Sequence, residues 1–96
     1  MLEMRDRKTR SGKDAETIGI EALSFLASDQ DLMQRFLDVT GIEADEVRTL
    51  VSHQSFFVGV LDFISAHEPT LMTFCGFAAL QPDEVSNARR KLDAGW

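Results

Sequence analysis

Gln54-Ser55-Phe56-Phe57-Val58-Gly59-Val60-Leu61-Asp62-Phe63-Ile64-Ser65 decides the fold, because seven of its twelve side chains are large and apolar. Residues three and four apart are apolar together, which is helical spacing and not the strict alternation of a strand. Wound as a helix, the stretch is greasy nearly all round, so it has to lie in the middle of the molecule. Its single charge is Asp62. The helices that cover it are then to be sought on either side.

On the C-terminal side the periodicity predicts a helix from Glu68 to Ala79, with Pro69 in its first turn, where a missing N–H costs little. Another runs from Pro82 to Leu92, with Arg89, Arg90 and Lys91 in the last turn to complement the helix dipole. On the N-terminal side Asp14 caps a helix from Ala15 to Ala27, with Ile18, Ala22, Phe25 and Leu26 on one face. Asp29 caps a second, Gln30 to Val39, and Gly41 is placed to stop it. A short helix from Ala44 to Ser52 turns Val47, Leu50 and Val51 inward. The expected fold is therefore all-α, a compact bundle of about five to six helices.

A shift of 38 residues lays residues 18–50 on 56–88 without a gap. Leu23 meets Leu61, Phe25 meets Phe63, Phe36 meets Phe74, and Asp45-Glu46-Val47 meets Asp83-Glu84-Val85. The spacing predicts two copies of a long–long–short helical unit, neither of which could bury its apolar face alone.

Several of these residues also point to a family. Glu16-Thr17-Ile18-Gly19-Ile20-Glu21-Ala22-Leu23-Ser24-Phe25-Leu26-Ala27-Ser28-Asp29 resembles an alphaproteobacterial family of unknown function, DUF3572. So do Leu32, Arg35-Phe36-Leu37 and Thr40-Gly41-Ile42, and later Val60-Leu61-Asp62-Phe63-Ile64. The resemblance spans about residues 15–92 and rests on core and capping positions. It implies a bacterial cytoplasmic protein and brings no activity, cofactor or site residue with it. His53 and His67 depart from it, standing where small polar caps such as Asp are expected.

Charge is divided unevenly along the 96 residues. Residues 1–13 carry Arg5, Arg7, Lys8, Arg10 and Lys13 against two acids, and read as a disordered basic arm. Residues 14–96, the single helical domain, carry five basic and fourteen acidic residues and would repel nucleic acid and anionic membranes. Only the arm could attract phosphates, weakly and without aromatic residues to stack on bases. A helix-turn-helix through Thr40-Gly41-Ile42 is rejected, because Glu43, Asp45 and Glu46 would lead its recognition helix into the groove. The apolar runs Phe56–Leu61 and Phe74–Leu80 are far too short to span a membrane. No signal peptide is evident, and a lone cysteine, Cys75, suits a reducing compartment. The expected location is the cytoplasm.

No chemical constellation emerges. Asp45/Glu46 and Asp83/Glu84 fall in first turns of helices, where acids favour the dipole. His53 and His67 lack a third ligand at metal spacing and a nucleophile at triad spacing, so neither a metal nor a cofactor is expected. The six glycines form no phosphate loop; Gly59 and Gly76 are expected to allow close packing of helices on a Phe ring. The sequence favours a non-enzymatic protein–protein interaction module, with an unknown protein or a second copy as partner. Its contact candidates are Phe56 or Phe57, neighbours that cannot point to one spot, and Trp96. The alternatives are a small-ligand carrier or small enzyme using an interhelical pocket, and nucleic-acid association through the arm.

Overall fold

The structure is a computed structural model and describes residues 12–94. It contains six helices among those residues and no strand: α1 (Ala15–Ala27), α2 (Gln30–Thr40), α3 (Val47–Leu50), α4 (Gln54–Ser65), α5 (Glu68–Ala78) and α6 (Pro82–Asp93). A 3-10 turn, Ala44–Glu46, runs directly into α3. The periodicity placed α1 and α4 to the residue and the others to within one or two residues at each end. The short third helix is the exception, being half 3-10 turn and half a single α turn.

Local chemistry accounts for the boundaries. The Asp14 carboxylate accepts from the Thr17 backbone N–H at 2.8 Å and opens α1. Asp29 does the same for α2, accepting from Asp31 and Leu32. Gly41 ends α2 with φ 76°, a left-handed conformation that glycine adopts without a steric penalty. Ala79 ends α5 in the same conformation, φ 58°, although it carries a Cβ.

Helix α4 lies in the middle, packed against α1, α5 and most extensively α6. Phe56, Phe57, Val58, Val60, Leu61 and Ile64 are all buried, as its sequence requires. The rings of Phe25 and Phe74 sit 5.3 Å apart, and those of Phe36 and Phe63 5.5 Å apart, in tilted and edge-on arrangements. Arg89 of α6 forks onto both carboxylate oxygens of Asp62 on α4, so the one charge of the central helix is matched at its rim. Arg89 is thereby drawn away from the C-terminal dipole, which Arg90 and Lys91 serve instead.

The expectation for the glycines is corrected. A Cβ added at Gly59 or Gly76 meets nothing within 4 Å, so neither lets a ring approach. The close approach is at Gly19, where a Cβ would lie 3.1 Å from the Phe57 Cβ. That Cβ is fixed to the α4 backbone and cannot swing aside, so α1 and α4 cross where glycine leaves room.

Two sets of variants test this account by chemical denaturation. Gly59→Ala and Gly76→Ala should each stabilise by about 1 kcal/mol, the helix-propensity difference, while Gly19→Ala should destabilise by about 1–2 kcal/mol through overpacking. At the left-handed caps, Ala79→Gly should stabilise by about 1 kcal/mol and Gly41→Ala should destabilise by a similar amount.

Candidate functional site

The Phe56 and Phe57 rings, candidate partner contacts from sequence, are 6% and 8% exposed and belong to the core. The two rings meet each other edge-on with centroids 5.3 Å apart, and α4 is walled in widely enough for both to be covered. Phe56 packs edge-on to Phe36 at 6.0 Å, and Phe57 closes on Gly19. Neither ring is offered to a partner. Trp96, Arg5, Arg7, Lys8 and Arg10 lie outside the described residues.

Lys13, read as the end of a loose arm, is instead tied to the body. Its ammonium pairs with Glu21 at 2.9 Å and donates to the Ala78 carbonyl at 2.7 Å. It thereby joins the approach to α1 to the end of α5, and its charge is shared with a carboxylate rather than left for a phosphate.

The paired acids act as caps. Glu46 accepts from the Glu43 backbone N–H at 2.8 Å, and Glu84 from that of Gln81 at 2.9 Å, each within a reciprocal capping box. His53 and His67 occupy the N-cap positions of α4 and α5, where the His67 Nδ1 meets the Thr70 hydroxyl at 2.8 Å. Among the described residues no three of His, Cys, Asp and Glu converge as metal ligands. Cys75 is buried, and burial, helped by the Glu84 charge, pushes its thiol above the ordinary value. A thiol so placed holds its proton and is a poor nucleophile.

Surface depressions are open and mixed in character. One of about 300 Å³ lies between α1 and α6, lined by Lys13, Ile18, Glu84, Asn87 and Lys91 among others. The more distinctive feature runs along α2. Ala27, Met33, Leu37 and Ala44 line a groove of about 600 Å³, which continues past Leu37 to Ile42. Asp31, Asp38 and Glu43 stand along it.

That groove follows from incomplete burial. Between Gln30 and His53 the only fully buried side chain is Phe36. Leu32, Met33, Leu37, Ile42, Val47 and Leu50 touch the core but stay partly covered, and Val39 is 70% exposed. The segment that the same shift sets opposite, residues 68–91, buries Phe74, Cys75, Ala78, Leu80, Val85 and Ala88. Sequence reasoning assigned the α2–α3 aliphatics to the core and so missed the groove. The available signal was the 38-residue shift, which just past the aligned residues 18–50 sets residues 51–55 on 89–93. In the second half those residues extend α6; in the first they are needed for the turn and the start of α4, so the third helix is cut short.

The small, all-helical fold of the described residues defines a class rather than an activity. The chain belongs to the family described as protein of unknown function DUF3572, which it matches over residues 12–95. No curated protein and no solved structure matches it. No helix of the described residues is long and apolar enough to cross a membrane.

The raised Cys75 pKa has a consequence for alkaline stability. A folded-state value above the unfolded one gives stability that is complete below the ordinary thiol pKa of 9.0 and is lost as pH rises past it. In denaturation at stepwise pH from neutral into this range, Cys75→Ala should show a shallower alkaline decline than the parent. Parallel declines would show that the thiol makes no contribution.

Proposed function

We propose that the chain is a non-enzymatic protein–protein interaction module of the cytoplasm, built from two copies of one three-helix unit. The half-covered flank of the first copy receives the partner. The observation that carries this reading is the burial of Phe36 alone between residues 30 and 53.

Three features support two copies. The 38-residue shift carries α2 onto α5 end to end, and carries the left-handed Gly41 onto the left-handed Ala79. It carries the Glu43/Glu46 capping box onto Gln81/Glu84. It also exchanges the ring pair Phe25–Phe74 for Phe63–Phe36, so each copy inserts the same two positions into the other, as across a two-fold axis. Against that background the difference between the copies lies in the segment after the first helix: the second buries Phe74, Cys75, Ala78, Leu80, Val85 and Ala88 there while leaving Met72 and Phe77 half exposed, and the first buries Phe36 alone.

Fully burying a Leu, Ile or Met side chain gains about 1.5–3 kcal/mol, so covering the open part of Met33, Leu37 and Ile42, the partly covered residues that line the groove, gains roughly 1 kcal/mol each. Together that is about 3 kcal/mol, below the range of about 4–15 kcal/mol that association costs. Apolar contact here needs the surrounding carboxylates to add to it, and the complex is a weak one. A ligand carrier or small enzyme would need enclosed apolar space, and the depressions on the described surface are open; no observation favours that alternative. Nucleic acid is disfavoured as a partner by the carboxylates around the groove.

Photo-crosslinking in cells of the native host tests the reading. A photoreactive residue at Gln34, inside the groove, should give a discrete heavier adduct that is absent when the residue is placed at the exposed Ser86 of α6. Met33→Gln should abolish the adduct while leaving the helical dichroism intact. Equal labelling at both positions, or none at Gln34, would remove the proposal.

A further inference from the structure

We infer that the groove along α2 takes a basic amphipathic helix of a partner protein, an inference that rests on the interaction role proposed above. The floor is apolar, formed by Met33, Leu37, Ile42 and Ala44. Asp31 and Asp38 stand on α2, and Glu43 in the loop beyond it. From Asp29 to Glu46 the chain holds six carboxylates against Arg35 alone.

Charge decides the occupant. An acidic helix or a phosphate backbone would meet like charge here, whereas lysine and arginine flanking an apolar stripe would meet opposite charge. A second copy of the chain is a poor candidate on the same ground, since its domain is acidic as well. Shape decides the secondary structure. Among the described residues there is no sheet edge for a strand to extend. The eleven residues of α2 offer a track about 16 Å long, enough for three turns of a helix presenting side chains at i, i+3, i+4 and i+7. The apolar floor supplies contact, and the carboxylates supply orientation and the faster encounter that opposite charge gives.

The test uses the full chain and synthetic peptides of about 14 residues, with leucine on one helical face and either lysine or glutamate on the other. Fluorescence anisotropy should show the lysine peptide binding, more weakly as salt rises, and the glutamate peptide not binding. Asp31→Asn with Asp38→Asn should weaken the lysine peptide about tenfold, and Met33→Gln comparably. Glu16→Gln with Glu68→Gln changes the net charge equally, away from the groove, and should change affinity less than about twofold. Equal weakening by both pairs would overturn the inference in favour of diffuse attraction to an acidic body. Tighter peptide binding after deletion of residues 1–11 would overturn it in favour of the chain's own basic arm as occupant. Peptide-independent dimerisation lost on Met33→Gln would overturn it in favour of a second copy. A Gln34 adduct that survives Asp31→Asn with Asp38→Asn would reject the basic helix while leaving the interaction role standing; no adduct at all would reject the role itself.

Discussion

A helix whose polar face is only a thin stripe has to be covered on its other sides, and α4, with Ser55, Asp62 and Ser65 alone exposed, is such a helix. Everything else is arranged to enclose it: α1 crosses it at Gly19, α6 lies along it, and α5 closes the remaining side. The crossing at Gly19 matters most, because a Cβ at position 19 would come within 3.1 Å of the Phe57 Cβ and push the two helices apart by a few tenths of an ångström. With α1 seated, the rings of Phe25 and Phe74 come into contact, and Phe36 reaches Phe56 and Phe63 from the other end. Ring pairs of this kind add about 0.5–1.5 kcal/mol each beyond the area they bury, and they lock the order of the helices. The Arg89–Asp62 pair at the rim then fixes the azimuth of α6 without placing a charge inside.

Helix positions were legible because their causes are local. Asp14 and Asp29 mark starts, Gly41 marks a stop, and Pro69 and Pro82 mark first turns; each acts through its own backbone or that of residues nearby. Packing partners were not legible. Gly19, Gly59 and Gly76 are alike in sequence, each a glycine inside a helical run, and only the neighbouring helix distinguishes the one that is needed from the two that are free. The same limit applies to Phe56 and Phe57. Two adjacent rings read as one too many for a single face, but a central helix has more than one face to fill.

The groove was hidden for a related reason. Leu32, Met33, Leu37, Val47 and Leu50 have the spacing of buried residues, and they do touch the core. Spacing reports which residues point inward; it does not report whether enough chain remains to cover them from outside. That quantity depends on the length of the third helix, and this in turn depends on where α4 has to begin. The relevant sequence fact lies just past the 18–50 on 56–88 alignment: the same 38-residue shift would set residues 51–55, which turn into α4, on 89–93, which continue α6.

Connectivity accounts for the short third helix. Residues 51–53 are needed for the turn into α4, which begins at Gln54, so α3 stops at Leu50, whereas α6 runs through Leu92 and buries it. The partly covered flank of α2 and α3 follows from where α4 has to begin. What distinguishes this flank from a mere packing defect is the acidic rim, since carboxylates are not needed to leave leucines half covered. Glu43, Asp45 and Glu46 have structural employment at the start of the third helix, and Asp31 in the first turn of α2, which leaves Asp38. Asp38, near the C-terminal end of α2, is set against the helix dipole there and accepts a hydrogen bond from the neutral Gln34 amide. In the proposed complex, the cation that offsets this unfavourable helix end comes from the partner helix, laid against the apolar surface beside it.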